Sequence, residues 1–177
     1  GMDGHPEENW FPWLKSRLEK EGHRGIVPHF PHADHPELQE WIAYFEQWKP
    51  LLNNNAILIG HSLGSAFALR LLERCEQSVR ATFLVASVWG VMENQFDPLM
   101  TSFTKAPYDW PKIRSNAGKI CVIHSDNDPY IALEKAEALA RNLGVPVTPL
   151  KKGGHFNAEA GYTTFERLLE LMKPILP

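Results

Sequence analysis

The feature that most constrains the fold is a series of short, largely apolar segments, most of which lead into a stretch with helical periodicity. These segments are residues 56–59 (AILI), 81–86 (ATFLVA), 120–124 (ICVIH) and 145–150 (VPVTPL). Strands that are apolar on both faces are typical of parallel sheets with helices on both sides. Because strands and helices alternate, the sequence predicts an α/β fold with three layers and a mostly parallel central sheet.

The remaining periodicity predicts further elements and one compact unit. A fifth strand is predicted at residues 25–28 (GIVP), and the predicted helices are 13–20, a helix from Pro36 that Pro50 ends, 65–73, 133–142 and 163–172. Residues 87–118 are richer in Pro, Trp and Phe, which indicates an irregular excursion that could cover a site. With 177 residues and no repeat or linker, we expect one domain over residues 1–177.

Composition narrows the classes of function and partner. The net charge of −3 and the lack of a basic cluster argue against a nucleic-acid partner. No apolar run approaches the ~18 residues of a membrane span, and no charged-then-apolar leader is present. We therefore expect a cytoplasmic protein with no membrane partner, in which Cys75 and Cys121 are reduced thiols.

The segment 60–64 (GHSLG) matches the G-x-S-x-G pattern between a predicted strand and a predicted helix. In that context the serine lies at the apex of a sharp, strained turn, with its hydroxyl above the end of the strand. The glycines on either side are expected to relieve collisions across the turn. Ser62 is therefore the predicted nucleophile, and the N–H of Leu63 is a predicted oxyanion-hole donor. A serine that only caps the helix is the alternative.

A serine nucleophile needs a general base, and the base needs an orienting carboxylate. In this class of fold the order along the chain is Ser, acid, His. Asp128 follows the strand 120–124, and His155 follows the strand 145–150 in a Gly-Gly-His context. Asp126 competes for the acid role, but Pro129 fixes the turn after Asp128 and favours Asp128. The paired glycines predict a loop flexible enough to bring the imidazole over the sheet.

Other histidines are weaker candidates. His29, His32 and His35 recur every three residues and could hold a metal with Asp34. Pro31 and Pro36 break any helix that would align them, so no metal or cofactor is predicted. His61 precedes the nucleophile and is expected to pack against the sheet.

Four motifs together resemble one known family. They are WFPWL at 10–14, GHSLGS at 60–65, SDNDPYI at 125–131 and GGHF at 153–156. In this order they are similar to the small serine hydrolases typified by retinoblastoma-binding protein nine and bacterial YdeN. The resemblance implies an α/β-hydrolase fold, a triad on Ser62, Asp128 and His155, and activity toward small acyl esters.

The start of the chain departs from that family. Family members begin with a strand that ends in His-Gly and supplies a second oxyanion donor. Here Gly1 falls at the glycine and Met2 at the donor position, and no segment of the given sequence matches the family's first strand. We expect an open edge beside the nucleophile strand, which a homodimer could close. An incomplete oxyanion hole would lower turnover.

The sequence thus predicts a serine hydrolase that cleaves small carboxylic esters through an acyl-enzyme intermediate. Amides and thioesters could be cleaved by the same machinery. The alternative from another class is a hydrolase-fold protein-binding module, with weak or no activity because of its N-terminus.

Overall fold

Four parallel strands form one sheet in the computed structural model, which describes all 177 residues. The strands are β1 (Ile57–His61), β2 (Ala81–Val85), β3 (Lys119–Ser125) and β4 (Val147–Leu150). They lie side by side in chain order, with Gly60 opposite Leu84 and Leu84 opposite Val122. The predicted α/β class and parallel sheet are confirmed.

Helices connect and cover the strands. They are α1 (Phe11–Lys20), α2 (Leu38–Phe45), α3 (Leu63–Leu72), α4 (Asp97–Thr104), α5 (Trp110–Asn116), α6 (Leu133–Leu143) and α7 (Glu166–Met172). Two 3-10 helices occupy Glu46–Leu51 and Ala158–Ala160. The predicted helix after Pro36 therefore changes to 3-10 geometry before Pro50, which lacks the N–H that an α-helix would need. None of these helices has the length and apolar character that crossing a membrane would demand.

The helices form a layer on each side of the sheet. On one side, Leu14 of α1 and Leu168 of α7 pack with Phe83 and Ile123 of the sheet. On the other side, helices α3, α5 and α6 pack against the alternate strand residues, among them Leu84 and Val122. Successive side chains of a strand point to opposite faces. Each central strand is therefore buried on both faces, which explains its unbroken apolar sequence.

The segment 87–118 is more regular than its composition suggests, because it contains α4 and α5. Met100 and Phe103 of α4 are buried in a cluster with Phe67 of α3 and Trp41 of α2. The rings of Trp41 and Phe103 meet edge to face at 5.0 Å between centroids. Residues 87–118 therefore pack against α3. The sequence pattern missed these helices because each is only seven or eight residues long.

A buried arginine ties this excursion to α3. The guanidinium of Arg70 donates hydrogen bonds to the backbone carbonyls of Phe103, Ala106 and Pro107. It also pairs with Glu73, the residue that directly follows α3. A buried cation needs such partners to offset lost hydration. The connection between α4 and α5 is thereby fixed on the body of the protein.

Residues 25–28 form no strand, so that prediction is wrong. Their backbone makes no hydrogen bond, and β1 pairs only with β2. Ala56 and Ser62 direct their backbone groups toward β2, so those of Ile57, Ile59 and His61 face the opposite edge. A strand needs a hydrogen-bonded neighbour, and residues 25–28 have none. The strand that leads to Ser62, β1, is thus an edge strand, in keeping with the expected open edge. Homodimerisation there stays a prediction.

Candidate active site

Ser62 lies alone between a strand and a helix, because β1 ends at His61 and α3 begins at Leu63. Its backbone has φ 55° and ψ −125°, a region that residues other than glycine rarely adopt. Hydrogen bonds hold this conformation: the N–H of Ser62 donates to Val85, and its carbonyl accepts from Ser65 and Val88. The strained strand-to-helix turn predicted for the G-x-S-x-G segment is present.

The two glycines of the motif differ in what they do. A Cβ on Gly60 would lie 2.6 Å from Cα of Ser65 and 2.7 Å from the carbonyl oxygen of Gly64. A Cβ on Gly64 would meet nothing within 4 Å. The expectation that both glycines relieve collisions therefore holds only for Gly60, where α3 approaches β1 closely.

Asp128 lies just past β3 and uses both carboxylate oxygens. Its Oδ1 accepts hydrogen bonds from the N–H groups of Tyr130 and Ile131, and its Oδ2 accepts one from Nδ1 of His155 at 2.8 Å. Burial by itself would raise the pKa of Asp128. The hydrogen bond and charge of His155, together with the Tyr130 N–H and the charge of His124, outweigh burial and lower the pKa below its usual value. Asp128 is therefore held as a carboxylate.

Asp126, the competing acid, is bound elsewhere. Its Oδ1 accepts a hydrogen bond from the backbone N–H of Lys152 at 2.7 Å, at the surface. It makes no contact of this kind with the imidazole of His155. Asp128 is the carboxylate that the structure brings to His155.

His155 is largely buried, with its side chain 10% exposed. Since a carboxylate only accepts, Nδ1 of the ring carries the hydrogen that binds Asp128, and the neutral ring leaves Nε2 unprotonated. The ring of Tyr130 covers it edge to face, with centroids 5.0 Å apart. His155 forms no hydrogen bond with the hydroxyl of Ser62 in this structure. The two residues are linked through His61, which precedes Ser62 directly.

His61 has a supporting role that the sequence interpretation missed. Its Nε2 lies 2.8 Å from the carbonyl oxygen of His155, and since that oxygen only accepts, Nε2–H donates. The rings of His61 and His155 are 5.0 Å apart between centroids. Trp10 and Phe11 also pack against the His61 ring. Burial, and next the charge of His155, lower the pKa of His61 to about 3, so His61 stays neutral.

The groups predicted to bind the oxyanion lie beside Ser62. Leu63 is the first residue of α3, so its N–H has no partner within the helix. The N–H of Met2 makes no hydrogen bond. Gly1 lies against Ser62, since a Cβ built on Gly1 would be 3.4 Å from Cβ and 3.8 Å from Oγ of Ser62. Both predicted donors are free to bind another group.

Metal-ligating residues do not converge. The structure contains no group of three or more His, Cys, Asp or Glu residues placed to hold a metal ion. His29, His32 and Asp34 line an open cavity of about 630 Å³. Cys75 is buried and Cys121 is partly buried, and both are free thiols.

Comparisons with known proteins agree with this architecture. Residues 1–174 match the family model of the serine hydrolases. YdeN of Bacillus subtilis (strain 168), named as a hydrolase, is 26% identical over 172 residues, which cover 97% of this chain and 90% of YdeN. Serine hydrolase RBBP9 of Rattus norvegicus is 24% identical over 168 residues, which cover 94% of this chain and 86% of RBBP9.

The crystal structure of YdeN is similar throughout. It matches with a TM-score of 0.93 at 25% identity, covering 99% of this chain and 94% of the YdeN chain. The sheet and its helices are therefore a reduced α/β-hydrolase core, and the chain belongs to the serine hydrolase family.

Proposed function

We propose that this protein hydrolyses small carboxylic esters through an acyl-enzyme on Ser62. The observation that carries the proposal is the strained backbone of Ser62, at φ 55°, beside a His155 that is hydrogen-bonded to Asp128. A neutral imidazole oriented by a carboxylate is the general base that a serine hydroxyl requires. The three residues come from the carboxyl ends of β1, β3 and β4, which meet at one edge of a parallel sheet.

Acylation begins when Oγ of Ser62 attacks the ester carbonyl carbon. Nε2 of His155 takes the hydroxyl proton, and Asp128 stabilises the resulting imidazolium. The N–H groups of Leu63 and Met2 donate to the oxyanion of the tetrahedral intermediate. The C–O bond to the leaving alcohol then breaks, and His155 returns the proton to that alcohol.

Deacylation repeats these steps with water. His155 removes a proton from a water molecule, whose oxygen attacks the acyl carbon. The bond to Oγ of Ser62 breaks and His155 returns the proton to Oγ, which releases the acid. Amides and thioesters differ only in the leaving group, and none of these steps requires a metal or cofactor.

The packing of residues 87–118 suggests a preference for short acyl chains. Residues 87–118 pack against α3 through Val88, Met92, Met100 and Phe103. Because this segment packs closely on α3, its side chains contribute to the rim of the site. The segment therefore leaves little volume above Ser62. We therefore expect faster turnover of acetyl and butyryl esters than of long-chain esters.

The test is hydrolysis of p-nitrophenyl esters of rising chain length by the parent protein and by Ser62→Ala. We expect measurable turnover with short chains, and a rate near the uncatalysed one for the variant. Ser65→Ala is a matched control, because Ser65 is a buried serine in the first turn of α3 and donates to the carbonyl of Gly60. A folded parent that turns over no ester would contradict the proposal and favour the binding-module alternative.

A further inference from the structure

Four consecutive residues at the end of β3, Ser125–Asp128, bind four consecutive residues after β4, Lys152–His155. The Oδ1 of Asp126 accepts from the N–H of Lys152 at 2.7 Å, and Oγ of Ser125 accepts from the N–H of Gly153 at 2.8 Å. In the same way, Oδ1 of Asn127 accepts from the N–H of Gly154 at 2.9 Å. The fourth pair is Asp128 with His155, at 2.8 Å. The chain segment that contains Asp128 therefore binds each of the three residues that directly precede His155.

Two of these side chains are joined to each other. The hydroxyl of Ser125 donates to Oδ1 of Asn127 at 2.6 Å while it accepts from Gly153. Oδ1 of Asn127 thus accepts two hydrogen bonds, one from Ser125 and one from Gly154. Ser125 is 1% exposed, so water does not readily replace its partners. Removing the Ser125 hydroxyl would leave the buried N–H of Gly153 unpaired, and removing Asn127 would take the partner from the N–H of Gly154.

The segment held by these bonds has an unusual backbone. Lys152, Gly154 and Phe156 have φ values of 56°, 53° and 51°. Alternating positive φ values are costly for residues other than glycine, and they persist only where the surroundings enforce them. A Cβ on Gly153 would lie 2.3 Å from the ring of Phe156, so this glycine permits close packing. The glycines therefore serve a tightly held loop, in contrast to the flexible loop expected from the sequence.

We propose that Ser125 and Asn127 are positioning residues that set the imidazole of His155 for proton transfer. The proposal rests on the proposed function for its catalytic consequence, but its structural content is independent of any activity. Without these two side chains, Gly153 and Gly154 lose their partners and the strained loop relaxes. His155 would then drift from the position in which Asp128 orients its ring. A displacement of about 1 Å in such a group can cost on the order of 100-fold in rate.

The test compares four variants with the parent protein. Ser125→Ala and Asn127→Ala remove the acceptors, whereas Asn127→Asp keeps an acceptor oxygen for both bonds. Thr82→Val is the matched control, because the buried Thr82 hydroxyl donates to the carbonyl of Ala117 in the sheet. The readouts are kcat and KM for a p-nitrophenyl ester, the pH profile, and the low-field proton NMR signal of the His155 Nδ1–H bound to Asp128. That signal is assigned by its absence in Asp128→Ala.

We expect Ser125→Ala and Asn127→Ala to lower kcat about 10- to 100-fold with little change in KM, and to lose or broaden the low-field signal. Asn127→Asp should retain the signal and most of kcat. Its added negative charge favours the protonated imidazole and should move the acid limb of the profile to higher pH. Thr82→Val should keep both kcat and the signal.

The outcomes separate this proposal from the proposed function. If both alanine variants keep kcat and the low-field signal as Thr82→Val does, the positioning role is wrong. If the parent hydrolyses no ester, the low-field NMR signal alone tests the positioning role. Its loss in both alanine variants then supports the positioning role while the proposed function fails, and its retention overturns the positioning role as well.

Discussion

The two halves of the site are built in opposite ways. In the proposed acid–base half, which holds Asp128 and His155, the Asp128 side chain is fully buried and both of its oxygens are occupied by hydrogen bonds. In the proposed nucleophile half, the hydroxyl of Ser62 and the N–H of Met2 have no hydrogen-bond partner. The carboxylate of Asp128 is saturated without a ligand, whereas the other half presents unsatisfied groups on a strained turn.

This difference follows from the chemistry that each half is proposed to perform. The imidazole must keep one tautomer and orientation through both steps, so its partners can be permanent. Oxyanion donors act only on charge that develops during the reaction, so they have to be free beforehand. The comparison teaches that saturation of hydrogen bonds identifies the positioning groups, and that free backbone donors identify where the substrate would react.

The largest expected effect comes from the acid–base half. Asp128→Asn keeps the shape of the side chain but removes the charge that fixes the tautomer of His155. We expect kcat to fall about 10⁴-fold with little change in fold. Steady-state kinetics and a thermal unfolding curve measure the two effects. A loss below tenfold would show that the carboxylate does not orient the base.

His61, which donates to the carbonyl of His155, should govern stability in acid. Burial lowers the pKa of His61 from its ordinary value of 6.5 to about 3. Between these two pH values His61 is therefore protonated in the unfolded chain and neutral in the folded one. Its contribution to stability is complete above pH 6.5 and is lost as the pH falls toward 3, by on the order of 5 kcal/mol. The lowered pKa of Asp128 acts with the same sign below its ordinary value of 3.8.

Denaturant unfolding between pH 7 and pH 3 measures this dependence. His61→Phe removes the titrating group while keeping an aromatic ring beside Trp10 and Phe11. We expect the variant to be less stable at pH 7, because the carbonyl of His155 loses its donor. Its stability should also change less with pH. If the free energy of unfolding changes with pH by the same amount in both proteins, His61 does not take up a proton on unfolding.

An intermediate effect is expected from the free donor of the nucleophile half. Met2→Pro removes the N–H that we assign to the oxyanion hole, whereas Met2→Leu keeps it along with a side chain of similar size. Loss of one such donor costs about 10²- to 10³-fold in kcat. Comparing the kcat values of these two variants isolates the N–H. Equal values would place the second donor elsewhere.

The smallest effect compares the two glycines of the turn. Gly60→Ala places a Cβ 2.6 Å from Cα of Ser65, and this overpacking should cost about 1–3 kcal/mol. Gly64→Ala enters open space in the first turn of α3, where alanine is favoured over glycine by up to about 1 kcal/mol. Chemical denaturation measures both. Equal destabilisation by the two substitutions would show that the turn is not packed as described.

Local features of the sequence predicted the parts of this molecule that depend on local geometry. A glycine two residues before a serine, between an apolar run and a helix, is enough to indicate the turn at Ser62. The strand ends likewise indicated Asp128 and His155, because parallel strands bring their carboxyl ends to one edge. These inferences need no knowledge of which side chain meets which.

Features that depend on distant partners could not be predicted in this way. Residues 25–28 have the composition of a strand, but pairing needs a neighbour that composition does not specify. Ser125 and Asn127 stand within the SDNDPYI motif, yet their partners lie 27 or 28 residues further along the chain. Trp10 likewise donates from Nε1 to the carbonyl of Phe156, across 146 residues. Such contacts exist only after the sheet has assembled.

Reaction with a fluorophosphonate probe, followed by mass spectrometry of the digested protein, tests the central claim most directly. We predict a single adduct on Oγ of Ser62 in the parent, no adduct in Ser62→Ala, and strongly slowed labelling in His155→Ala. A folded parent that stays unlabelled, or an adduct on another residue that persists in Ser62→Ala, would contradict the account.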